Sequence, residues 1–143
     1  MKFLSGIGLL IMIGGILGLL ATHSLFSTNP AVIGGQAAAF ALMLWARMTF
    51  GRRSFHATAD PTEGGLVTGG PYAFVRHPIY TAVCLFVIAG SLAHVSWATA
   101  AFALVVFLGA IARMLAEERL LRTQYPGYIA YAARTKRMIP HVF

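Results

Sequence analysis

FLSGIGLLIMIGGILGLLA, from Phe3 to Ala21, runs for 19 residues without a charge. That is close to the length an α-helix needs to cross the hydrocarbon core of a bilayer. Lys2 before it would also suit a signal peptide. However, the apolar run is longer than a usual signal core and no small-x-small cleavage site follows, so the segment reads as a first membrane span. Gly6, Gly8, Gly14, Gly15 and Gly18 lie in it. Gly14 and Gly18 form a GxxxG pair of the kind that lets a second helix approach closely, and helix packing is the expectation here.

The rest of the chain has the same character. It has 143 residues, 58% of them apolar and 10% charged, and a mean hydropathy of +0.74. Soluble domains carry about a quarter charged residues. A disordered chain, a nucleic-acid-binding tail and an ordinary water-soluble enzyme are excluded. Cys84 is the only cysteine, so an intrachain disulfide and a cysteine metal cluster are excluded as well, and no metal site is expected.

Working outward, Thr22 to Pro30 is a short polar loop without Lys or Arg. Ala31 to Phe50 reads as a second span, with Arg47 near its end in a position to snorkel to the interface. Gly51 to Pro78 is the longest non-apolar stretch and holds Arg52, Arg53, Asp60, Pro61 and Glu63. The apolar stretch from Ile79 to Ala112 is too long for one span. Gly90, Ser91, His94 and Ser96 divide it into a hairpin, 79–93 and 95–115. The expectation is an all-α, integral membrane helical bundle of about four transmembrane helices forming one domain over 1–143, with a cytoplasmic loop and an amphipathic C-terminal helical tail.

The formal charge of +7 arises from 11 Lys+Arg against 4 Asp+Glu. Lys2 precedes the first span, Arg47, Arg52, Arg53 and Arg76 fall between the second and third, and Arg113, Arg119, Arg122, Arg134, Lys136 and Arg137 end or follow the fourth. All lie on one side of the four-span topology. The positive-inside rule makes that side cytoplasmic, with both termini there; in a bacterium the membrane would be the inner or plasma membrane. The charge then needs no nucleic acid to explain it. Two polar clusters, around Arg76-His77-Pro78 and around Glu117-Glu118, come to the same membrane depth.

Gly69-Gly-Pro-Tyr-Ala-Phe-Val-Arg-His-Pro-Ile-Tyr80 combines a turn with a helix start. Pro78 suits the first helical turn, where its missing N–H is not needed. The free N–H groups there and Arg76 favour an anionic group, although Arg76, His77, Tyr72 and Tyr80 also suit interfacial anchoring. Glu117 and Glu118 are two of the four acids. As helical neighbours they point about 100° apart, so they cannot both face one ligand atom. Pairing of Glu117 with Arg113 and of Glu118 with Arg122 is one expectation; a site for a cationic ligand is the other. Pro126-Gly127 should break the helix that follows, and Tyr125, Tyr128 and Tyr131 are interfacial anchors or pocket walls.

These elements together resemble the isoprenylcysteine carboxyl methyltransferase and phospholipid methyltransferase superfamily of membrane enzymes. The resemblance rests on Gly70-Pro71-Tyr72, on Arg76-His77-Pro78-Ile79-Tyr80, on Glu117-Glu118, and on Tyr128, Tyr131, Ile139 and Pro140, so it covers 66–143. Ala82 stands where the family usually has Gly, and Tyr125-Pro126-Gly127 replaces a Phe-Gly turn. The resemblance implies methyl transfer from S-adenosylmethionine. His77, Pro78, Tyr80, Glu117, Glu118, Tyr128 and Tyr131 would be cofactor-binding, Glu117 or Glu118 would meet its cationic part, and Arg76 would hold an anionic group, with Arg113 a weaker candidate. Arg76, Glu117 and Glu118 are the catalytic candidates. The implied partners are a lipid or lipophilic small-molecule substrate and the membrane; no nucleic acid and no obligatory protein partner is inferred. An NADPH-dependent reductase of the sterol-reductase type, a small four-helix exporter and a non-catalytic membrane subunit are the rival readings. An exporter would need an acid within a span, and none lies mid-span here.

Overall fold

A computed structural model describes residues 2–51, 65–140 and 142. The expectations for Arg52, Arg53, Asp60, Pro61 and Glu63 lie outside the described residues. Five α-helices follow one another: α1 (Lys2–Ala21), α2 (Pro30–Phe50), α3 (Pro78–Leu92), α4 (Trp97–Gln124) and α5 (Tyr128–Arg134), with a short 3-10 turn at Gly70–Ala73. No strand occurs among the described residues, and the expected all-α bundle is found. α1, α2 and α4 are long and apolar enough to cross a membrane, whereas α3 is a shorter apolar helix.

The helix ends follow from local chemistry. Asn29 caps α2 by accepting from the Ala31 N–H at 2.9 Å, with Pro30 in the first turn. Ser96 caps α4 through the Thr99 N–H at 3.1 Å, so the expected hairpin break sits where Ser96 can serve as a cap. α4 continues past the expected span of 95–115. It runs unbroken for 28 residues, because Ala, Glu, Leu and Arg after Leu115 are good helix formers and no breaker occurs before Pro126. Glu117 and Glu118 therefore lie inside a continuous helix rather than at its end.

α1 packs on α4, α4 on α3, and α3 on α2. Gly8 faces Gly109 and Arg113, while Gly15 faces Phe102 and Val106, so α1 and α4 run antiparallel. The buried stripe of α1 is Ser5, Gly8, Met12, Gly15 and Leu19. Its 3–4 spacing is that of a left-handed helix pair. The GxxxG expectation needs correction on this point. A Cβ at Gly14 would meet nothing within 4 Å among the described residues of the other helices, whereas at Gly8, Gly15 and Gly18 it would run into α4. The seven-residue stripe, not the four-residue pair, decides which glycines face the partner.

One end of the bundle gathers Thr49 and Phe50 of α2, Tyr72, the start of α3, the Arg113–Glu118 stretch of α4, and the tail. At Gly70, with φ of 56°, a Cβ would lie 2.9 Å from Thr49 Cγ2. Only glycine suits both that conformation and that approach. The described basic residues from Arg47 onward lie at or beyond this end. At the other end Gln36 Nε2 donates to the Leu25 carbonyl at 2.7 Å, and the Thr99 and Ser24 hydroxyls bond at 3.0 Å.

Candidate active site

Pro78 opens α3, and the chain before it is held by the tail. The Arg76 N–H donates to the Lys136 carbonyl at 2.7 Å and the His77 N–H to the Arg137 carbonyl at 2.9 Å. Val75 and Lys136 form a parallel bridge. Thr81 Oγ1 donates to the Met138 carbonyl at 2.9 Å. Residues 135–138 thus form a strap across the entrance to α3. Met138 is buried in the core beside Tyr80, Cys84 and Met114.

Glu117 and Glu118 straddle His77. His77 Nε2 lies 3.4 Å from Glu118 Oε1, and Nδ1 lies 3.9 Å from Glu117 Oε2. The divergence of adjacent helical residues gives each carboxylate its own partners, and the imidazole spans the space between them. Glu117 Oε1 accepts from the Tyr80 hydroxyl at 2.5 Å and from Arg113 Nε at 3.2 Å. Arg113 Nε also donates to the Tyr80 oxygen at 2.5 Å. The expected Glu117–Arg113 pair is therefore present.

Glu118 does not follow the expected pairing with Arg122. Its side chain turns inward, 4% exposed, to Arg76 and Arg137, while Arg122 stays at the surface. Arg76 Nε donates to Glu118 Oε1 at 3.0 Å. Arg137 Nε lies 3.2 Å from both carboxylate oxygens. A buried carboxylate needs such partners, and a surface Arg122 would leave it without them. Glu117 differs, since 23% of its side chain is exposed.

Tyr131 donates to the Tyr72 carbonyl at 2.7 Å, and the Tyr72 ring packs 5.5 Å from Phe50. Tyr128 is 1% exposed. Its hydroxyl has no hydrogen-bond partner among the described residues, and its charged neighbours include Glu118 and Arg76. Burial pushes the Tyr131 phenol up to about 12 and raises those of Tyr72 and Tyr128 well above the usual tyrosine range. All three are neutral donors at neutral pH.

A family model for phospholipid methyltransferases matches residues 46–127. The chain belongs to this family. The matched range includes Arg76, His77, Pro78, Tyr80, Glu117 and Glu118, and ends just before Tyr128. A cobalt-zinc-cadmium resistance protein, CzcN, of Cupriavidus metallidurans is 35% identical over 78 residues. That match takes in 54% of this chain and 36% of the relative, so the chain spans about a third of that protein's length. No solved structure matches it securely. The family is one of membrane methyltransferases, in keeping with the apolar helices.

Arg76, His77, Tyr80, Glu117 and Glu118 are joined in one hydrogen-bonded and ionic cluster; Tyr128 lies near Glu118 and Arg76, Tyr131 packs against Tyr128 with ring centroids 6.1 Å apart and bonds Tyr72, and Pro78 shapes the helix start. Arg137 joins the cluster without any local sequence pattern that marks it as a partner of Glu118. A buried Glu118 with a surplus of nearby cations was its one available signal.

Proposed function

We propose that this chain is an S-adenosylmethionine-dependent methyltransferase acting on a lipophilic or small acceptor, such as an isoprenylcysteine-type carboxylate or a phospholipid headgroup. The observation that carries the reading is the contrast between the two glutamates. Glu118 is buried among cations, whereas Glu117 keeps partial exposure, and near Glu118 the buried Tyr128 hydroxyl has no hydrogen-bond partner among the described residues. A carboxylate with an open side suits a cationic ligand. A buried hydroxyl without a partner suits a ligand acceptor, since leaving it unbonded is unfavourable. These residues fit such a cofactor.

S-Adenosylmethionine, when bound, supplies a methyl group on a sulfonium centre. Glu117 would face the cationic part, held in place by Tyr80 and Arg113. Tyr128 would donate to an acceptor atom of the ligand, and His77 would line the site between the carboxylates. Alignment and exclusion of water are the main demands of an in-line displacement. A carboxylate or thiolate acceptor needs no base. An amine acceptor must lose a proton, and Glu117 is then the base within the cluster.

The basic residues gathered at the site end favour a cytoplasmic placement of the site and of both termini. A lipidic acceptor would then enter from the bilayer between helices. The test is transfer of labelled methyl from S-adenosylmethionine into lipid and thiol acceptors by the purified protein in vesicles. Label transfer that Glu117→Gln abolishes is expected. Absence of transfer to every acceptor class, from a folded protein, would overturn the proposal.

A further inference from the structure

The free N–H groups at the start of α3 suggest that Arg76 binds an anion there, but its surroundings point elsewhere. Its side chain is 9% exposed. Nε donates to Glu118 Oε1 at 3.0 Å, and Nη1 donates to the carbonyls of Ala132, at 2.9 Å, and Thr135. Those carbonyls lie at the C-terminal end of α5, where a helix leaves its acceptors unsatisfied. The main chain of Arg76 grips the same segment through the Lys136 carbonyl. An anionic ligand drawing the guanidinium away would leave a buried carboxylate and two carbonyls short of a donor, which is costly.

We propose that Arg76 is a positioning residue that fastens α5 and the 135–138 strap to Glu118 and, through Glu118, sets His77. The link to His77 is geometric. The oxygen that accepts from Arg76 Nε is Oε1, the one that faces His77 Nε2 at 3.4 Å. Holding Oε1 in place therefore places the acceptor for the imidazole. A planar guanidinium with several fixed donors can serve a carboxylate and two carbonyls at once, which a lysine ammonium cannot do in the same geometry. This inference rests on the methyltransferase reading only where ligand binding is measured.

The test compares the full-length wild type with Arg76→Gln and Arg76→Lys in detergent. Hydrogen exchange is read over 128–138, and α1 and α2 serve as the control for folding. Arg76→Gln is expected to lower protection over 128–138 by at least about tenfold, because charge-assisted hydrogen bonds are lost, with Arg76→Lys intermediate. The His77 ring resonance is expected to shift in both variants, while those of His23 and His94 stay in place. Affinity for S-adenosylhomocysteine is expected to fall in the same order. Unchanged tail protection and an unmoved His77 resonance would overturn the proposal, and a loss of S-adenosylhomocysteine affinity alongside them would make Arg76 a ligand contact. If the wild type binds no S-adenosylhomocysteine, the methyltransferase reading fails, while the exchange and resonance arms still decide the role of Arg76.

Discussion

Gly109→Ala tests the helix pairing that brings Glu117 and Glu118 into position. A Cβ at this position would lie 2.7 Å from the Gly8 carbonyl oxygen and 2.8 Å from Met12 N. Both are backbone atoms of α1, so no side-chain rotation relieves the contact, and α1 and α4 must separate. Gly8 is equally close in return, with a Cβ there 2.9 Å from the Gly109 oxygen. Overpacking of this kind costs about 1–3 kcal/mol. Replacing a helical Gly by Ala returns roughly 0.5–1 kcal/mol of backbone entropy. A net loss of up to about 2.5 kcal/mol is expected for Gly109→Ala. Gly14→Ala is the matched control on the open face of α1, where an added Cβ would meet nothing within 4 Å among the described residues. It should gain roughly 0.5–1 kcal/mol. Both variants gain the same backbone entropy, so they should differ by the overpacking cost alone, about 1–3 kcal/mol, in a denaturing-detergent titration followed by tryptophan fluorescence. A Gly109→Ala protein as stable as Gly14→Ala would refute the close α1–α4 crossing.

At Gly90 an added methyl would run into the Leu25 carbonyl, with Gln36 Nε2 next to it, so Gly90→Ala should cost more than Gly109→Ala in the same titration. Tyr131→Phe removes the bond to the Tyr72 carbonyl and should cost about 1 kcal/mol, whereas Tyr128→Phe removes a hydroxyl without a partner and should cost less than about 0.5 kcal/mol. Equal losses would show that the two phenols are not distinguished in this way. Alkaline pH provides a further check. Unfolded tyrosines ionise near 10.0, whereas Tyr131 in the folded protein stays neutral up to about 12. Its contribution is fully present below pH 10 and is lost as pH rises through the folded value, so stability should fall between those limits as tyrosinate absorbance appears.

The parts of this fold that are read along one segment are visible in the amino-acid sequence. The uncharged run from Phe3 to Ala21, the Pro78 helix start, the Pro126-Gly127 break and the Glu117–Arg113 pair each depend on residues within a few positions of one another. The continuation of α4 to Gln124 was also open to local reading, since only the apolar pattern ends at Leu115 and the helix formers do not. Which glycines face α4 is set by the period of the buried stripe, Ser5, Gly8, Met12, Gly15 and Leu19, and not by the Gly14–Gly18 spacing. The strap is of a different kind. Arg76, Glu118 and Arg137 are drawn together only when α4 turns the chain back and α5 returns residues 135–138 to the start of α3. No local pattern marks Lys136 or Arg137 as the partners of Arg76 and His77, because the bonds between them run largely through backbone groups that every residue carries.

If the His77, Glu117 and Glu118 cluster serves a methyltransferase, the protein binds the methyl donor and its demethylated product. Detergent-solubilised protein would be titrated with S-adenosylmethionine and S-adenosylhomocysteine beside NADPH, for the wild type and for Glu117→Ala and Glu118→Ala. The account predicts selective binding of the two methionine derivatives, lost in Glu117→Ala with the fold retained. Binding of NADPH instead, or no binding of any of the three by a folded wild type, would contradict it.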